Sequence, residues 1–193
     1  MREINVLIGL LSHANYDGYD NNVKYLFIKD EVRNMTSEPI AETGYMVLIA
    51  GLLEILESTN GLEVTEEMMH TNGKRRGEHI ARKLGEYIDP KRALERLVEH
   101  SKPYYTIEIG RQSATRRGYM AEIRFKDCMI KKLCKNRGIS IKNPLCANTK
   151  GFIEGALSSM TCMEVDVDTT IVDWNMCECI VDFKRKQNKI GFV

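Results

Sequence analysis

The side chains best suited to chemistry in this sequence are its six cysteines, and two of them are spaced to act together. Cys177, Cys179, Val181 and Phe183 alternate with Glu178, Ile180 and Asp182, which is the period of a strand, so both thiols point to one side of it. Zinc accepts thiolates in such company. Yet Cys-x-Cys is not the Cys-x-x-Cys knuckle, and free cysteine is equally at home in a core. The four histidines, His13, His70, His79 and His100, are scattered, and spacing sets none of them beside a Ser or Cys nucleophile, so no catalytic constellation can be assembled. There is no Gly-rich phosphate loop and no dinucleotide fingerprint: GKRRG, from Gly73 to Gly77, has neither the spacing nor a preceding strand. The cationic cluster Lys74, Arg75, Arg76, Arg82 and Lys83 shares its segment with Glu78 and Glu86, the mark of a solvated face rather than of a nucleic-acid contact.

The elements that must position these thiols read as a helix followed by two strands. Ala147, Gly151, Gly155 and Ser159 recur every four residues and form a stripe of small side chains, while Phe152, Ile153, Ala156, Leu157 and Met160 give the helix an apolar side. Glu164, Asp166 and Asp168 then alternate with Val165 and Val167, a half-buried strand, and a turn through Asp173 and Asn175 leads into the Cys177 strand. Upstream, Thr43 is a candidate N-cap for a helix whose apolar repeat from Tyr45 to Leu56 ends near Asn60-Gly61, and Thr65 with Glu66 and Glu67 suits the start of another. That second helix carries Gly73 and Gly77, and the expected partner of this pair is Gly151 with Gly155. Pro90 opens a helix through Leu94, Leu97 and Val98 that Lys102-Pro103 closes. Tyr104 to Phe125 reads as a hairpin, and Cys128 to Lys135 as a short helix stopping at Gly138. Near the N-terminus, Val6 to Leu11 is a strand or a first helical turn, and Tyr25 to Ile28 a short strand. The order predicts an α+β fold, an antiparallel sheet of about four to five strands packed against several helices. Ten methionines, with Tyr and Leu on the central helices, suit an apolar pocket between the Thr43 helix, the Gly73 helix and the sheet.

Cys146 ahead of a helix with Gly151-Phe152-x-x-Gly155, an acidic strand, and a closing strand of the form Cys179-x-x-x-Phe183 together resemble the 4-vinyl reductase domain family, also called hydrocarbon-binding proteins. The resemblance is strong over these residues and weak back to about Thr43. It implies residues 41–193 as a 4-vinyl reductase-like domain of the NO-signalling and Golgi-transport type, with 1–40 an N-terminal extension and possible dimerisation element. The function implied is binding of a small apolar or aromatic molecule by a homodimer. The alternatives are an assembly subunit like those of transport particles, or an accessory factor to a vinyl-group reductase; without a cofactor motif, independent reduction is not expected. Zinc-containing relatives, among them phenol-sensing domains of bacterial transcription activators, hold the metal by a Cys before the Gly-Phe helix, an acid on the next strand, a Cys soon after, and the Cys of the last strand. Cys146 and Cys179 match the first and last of these. Asp168 falls near the acid position, Ile171 stands where the intermediate Cys belongs, and Cys177 is its substitute. The implied zinc set is Cys146, Asp168, Cys177 and Cys179.

The chain as a whole bounds these readings. With 193 residues, 43% of them hydrophobic, it can bury a core of ordinary domain size. Lys and Arg number 28 against 27 Asp and Glu, so the summed charge attracts neither nucleic acid nor an anionic membrane. Val6 to Leu11 is too brief for a signal-peptide core, and the Tyr45 to Leu56 run is broken by Gly51 and Glu54, short of a bilayer span. A cytoplasmic protein with reduced cysteines is expected.

Overall fold

The computed structural model describes residues 40–114, 116 and 118–185. The expected segments Val6 to Leu11 and Tyr25 to Ile28 lie outside these residues. Contacts divide the chain between Tyr45 and Met46, and apart from the first six residues of the first helix the fold described below belongs to the second unit.

Helix α1 spans Ile40–Asn60. It begins three residues before Thr43, which is an interior, buried helical residue rather than its cap; Pro39, with no N–H to lose, precedes the first turn in the sequence. Gly61, at φ +80°, is the only residue between α1 and α2 (Leu62–Leu84). Thr65 therefore also sits inside a helix: its hydroxyl donates to the Gly61 carbonyl at 2.7 Å, and α2 starts earlier than a Thr65 cap would place it. Helix α3 (Pro90–Ser101) starts as its sequence predicts, with Pro90 in the first turn and the Asp89 carboxylate accepting the Arg92 N–H at 3.2 Å. Strands β1 (Tyr105–Ala114) and β2 (Gly118–Cys128) form a hairpin. Helix α4 (Met129–Arg137) ends at Gly138 in the left-handed conformation. Helix α5 (Pro144–Thr161) is capped by Asn143, whose side chain accepts the Leu145 N–H at 2.9 Å and donates to the Ser140 carbonyl at 2.8 Å. Strands β3 (Glu164–Val172) and β4 (Cys177–Lys184) close the chain around Asp173, whose carboxylate accepts the N–H groups of Asn175 and Met176 at 2.8 and 2.7 Å and is held below the ordinary carboxylate range by them.

The result is an α+β fold with a four-stranded, fully antiparallel sheet in the order β1-β2-β4-β3. One sheet face, carrying Ile123, Phe125, Val165, Val167, Val181 and Phe183, makes the core with Leu94 and Leu97 of α3 and Ala156, Leu157 and Met160 of α5. The other face is polar: Arg124 donates to Glu178 at 2.9 Å and also pairs with Glu122. Helix α5 lies between this sheet and α2.

Helices α2 and α5 touch backbone to backbone. A Cβ at Gly73 would fall on the carbonyl of Asn148, and at Gly77 on that of Phe152; from the other side, Gly151 abuts the carbonyl of His70 and Gly155 that of Lys74. The four-residue spacing puts each glycine pair on one helix face, and no other residue fits there. Asn148 Nδ2 donates to the Met69 carbonyl at 3.0 Å and fixes the register of the pair. Gly155→Leu is therefore expected to cost at least about 1–3 kcal/mol by overpacking, read as a lowered melting temperature, whereas Asn72→Leu on the exposed side of α2 should stay within about 0.5 kcal/mol. Equal effects of the two would contradict the close approach.

Candidate functional site

A cavity of about 260 Å3 opens between α4, α5 and the β2-β4-β3 edge of the sheet. Phe125, Ile130, Ile141, Ile153, Val167 and Val172 supply its apolar walls, and Lys142, Lys150 and Glu66 stand at its opening. Four thiols line it: Cys128, Cys146, Cys177 and Cys179. A cavity of 150 Å3 suffices to hold benzene, so the space takes a single aromatic ring with room to spare. A second gap, under Tyr105 and Phe152, measures only about 10 Å3 and admits no such guest.

Two β-bulges shape the site. On β2, Asp127 pairs with Thr106 and Phe125 with Ile107, leaving Lys126 as an extra residue. The insertion reverses the alternation beyond it, so Cys128, which would otherwise face away from Phe125, turns to the same side. On β3, Thr169 pairs with Cys179 and Ile171 with Glu178; the extra residue is Thr170, and Val172 turns inward beside Cys177. No spacing rule singles out Cys128, because the bulge that points it inward has no local signature in the sequence.

Of the four residues implied for zinc, the structure brings three to this cavity and not the fourth. Cys177 and Cys179 share the inner face of β4, and Cys146 enters from the first turn of α5. Asp168 pairs with Ile180 and is exposed on the opposite face of the sheet, since its neighbours Val167 and Thr169 are the inward residues. Among the described residues, no group of three or more Cys, His, Asp or Glu side chains converges as a metal would require. The donor set that the resemblance implies is thus not assembled. The cavity also lies elsewhere than expected: among the described residues, none of α1 and no methionine lines it, and its sulfur is that of cysteine.

Burial sets the protonation of this site. Desolvation pushes the Cys146 thiol up from 9.0 to about 12, with Cys128 close by as a further cause, and Cys179 up to about 11. Cys128 is raised by the same burial. The thiols hold their protons on weak acceptors, Cys146 on the Ile141 carbonyl at 3.6 Å and Cys179 on Thr169 Oγ1 at 3.7 Å. Tyr105, raised to about 12 by burial, shares a 3.0 Å hydrogen bond with Thr149 of the cavity wall. Behind the wall, the buried Glu154 carboxylate accepts the Val167 N–H at 3.0 Å and His70 Nε2 at 2.6 Å, tying β3 and α2 to α5. Cys146 and Cys179 therefore carry no charge into the cavity at neutral pH, and Lys142, Lys150 and Glu66 stand at its rim.

No family model matches the chain, and no curated protein does, so the likeness to 4-vinyl reductase domains rests on its motifs alone. Among solved structures the chain is similar to the crystal structure of the phenol-responsive sensory domain of the transcription activator PoxR with phenol, at a TM-score of 0.59 and 14% identity, over 72% of this chain and 74% of that one. At that identity the shared property is the fold, an α+β architecture found in a ligand-binding sensory domain.

Two outcomes follow from the burial of the thiols. In the folded protein at pH 8, iodoacetamide should modify exposed Cys162 at least roughly tenfold faster than Cys146, read by peptide mass spectrometry; equal rates would contradict the assigned burial. Below pH 9.0 the Cys146 thiol is protonated whether the chain is folded or not, and between 9.0 and about 12 only the unfolded chain loses that proton. Its contribution to stability is thus whole below about pH 9 and falls as pH rises toward 12, a slope that Cys146→Ser should reduce in denaturant melts.

Proposed function

We propose that this chain is a cytoplasmic binding module that senses a small apolar or aromatic molecule, held in the cavity between α4, α5 and the β2-β4-β3 edge. The observation that carries the reading is the cavity itself: about 260 Å3, apolar-walled, with the Cys146 and Cys179 thiols kept neutral by burial. A space of this kind favours a guest by apolar burial, and its few polar groups, Thr149, Thr169 and Asn143, are placed to orient a single hydroxyl or similar group. The shared fold with a phenol-responsive sensory domain supports the same class of ligand. A catalytic role has no such support, because burial holds the Cys146 and Cys179 thiols protonated. We also propose that the module works as a homodimer, the state that its resemblance to hydrocarbon-binding proteins implies.

The test uses phenol, toluene and naphthalene as probes in thermal melts and calorimetry. A bound probe at a hundred times its dissociation constant stabilises by about 2.7 kcal/mol, and at least one of the three should raise the melting temperature of the native chain. Val172→Phe, which fills the cavity from β3 with a side chain that strands tolerate, should abolish that rise and leave the unliganded fold intact. No rise with any probe, or an equal rise in the variant, would remove the cavity from the proposal.

A further inference from the structure

Helix α1 is apolar on two sides, and only one of them is covered. Met46 and Leu53, at 9% and 3% exposure, lie on the covered side. Leu48, Ile49, Leu52 and Ile55 are 56%, 43%, 59% and 61% exposed. At 100° per residue these four fall within about a third of the helix circumference, and Leu48, Leu52 and Ile55 follow the four-three spacing of a coiled-coil seam. Helix α1 makes only slight contact with the other described elements. A helix of this composition ordinarily has both sides buried.

We infer that this stripe packs against the same stripe on a second copy of the chain, so that α1 is the helix through which two copies pair. The inference rests on the homodimer proposed above and assigns its surface. Three observations favour a second copy as the occupant. The stripe is self-complementary, since it holds no charge, while Glu54 and Glu57 project from the far side of the helix, where a two-fold axis does not oppose them. The four side chains leave on the order of 400 Å2 open per copy, and with Leu56 beside them the pair approaches the roughly 1,000 Å2 where specific interfaces begin. A lipid surface fits poorly, because α1 carries only acidic charges, Glu42, Glu54 and Glu57, and lacks the Lys and Arg that hold an amphipathic helix on anionic lipid. No helix of the described residues is long and apolar enough to cross a membrane.

Sedimentation of the full chain tests both layers. The native protein should run at twice its 22.1 kDa mass, and the double variant Leu52→Glu, Ile55→Glu at 22.1 kDa, with unchanged far-ultraviolet circular dichroism. A native chain at 22.1 kDa overturns the homodimer itself; a double variant that stays at twice that mass overturns only the assignment to α1. Benzoylphenylalanine at position 52 gives an answer that does not depend on the double variant folding. Irradiation should cross-link two copies through α1 peptides, and a product joining position 52 to residues 1–39 of the same chain, or to no second copy, overturns the inference.

Discussion

The absence of side chains at the four glycines where α2 meets α5 is the constraint on which the rest of the described structure depends. Where glycines meet carbonyls, the separation of two helices is set by backbone atoms, and no rotamer change can relax it. The contact fixes α5, and α5 in turn presents Ile153, Ala156, Leu157 and Met160 to the sheet. The Glu154 carboxylate bonds outward to His70 of α2 and inward to the Val167 N–H of β3, so one buried side chain links three layers. A buried carboxylate is tolerable only with such partners, and it gains them only if the helices sit as close as the glycines permit.

The chemistry of the cavity follows from the same packing. Thiols are ordinarily modest acids, and what distinguishes these is desolvation, which leaves Cys146 and Cys179 protonated far above neutral pH. Neither of these thiols repels an apolar guest through charge. The rim differs: Lys142, Lys150 and Glu66 remain in water, where their charges are screened.

Much of this was legible in the sequence wherever a local period decided the outcome. The alternation in β3 and β4, the Pro90 helix start and the four-residue glycine spacing needed no tertiary information. Thr43 and Thr65 are not caps, because a threonine that reads as a boundary can equally sit inside a helix, its hydroxyl bonding back to the carbonyl four residues earlier, as that of Thr65 does. Asp168 is more instructive. Its own alternation with Val167 places it on the water face, and only the family pattern drew it toward the thiols. Cys128 and Val172 were illegible for the opposite reason: alternation was the right rule, and a bulge reversed it at Lys126 and at Thr170.

Those two bulges carry a further consequence. Each leaves one residue outside the ladder, and both lie at the corner of the sheet that borders the cavity, while the pairing of β2 with β4 runs unbroken from Gly118 to Phe125. Interrupted pairing lowers the free energy of local opening without touching the global stability of the domain. Amide hydrogens around Lys126 and Thr170 are therefore expected to exchange through small openings that leave Val181 and Phe183 closed, so that breathing of this corner would be separate from unfolding of the core.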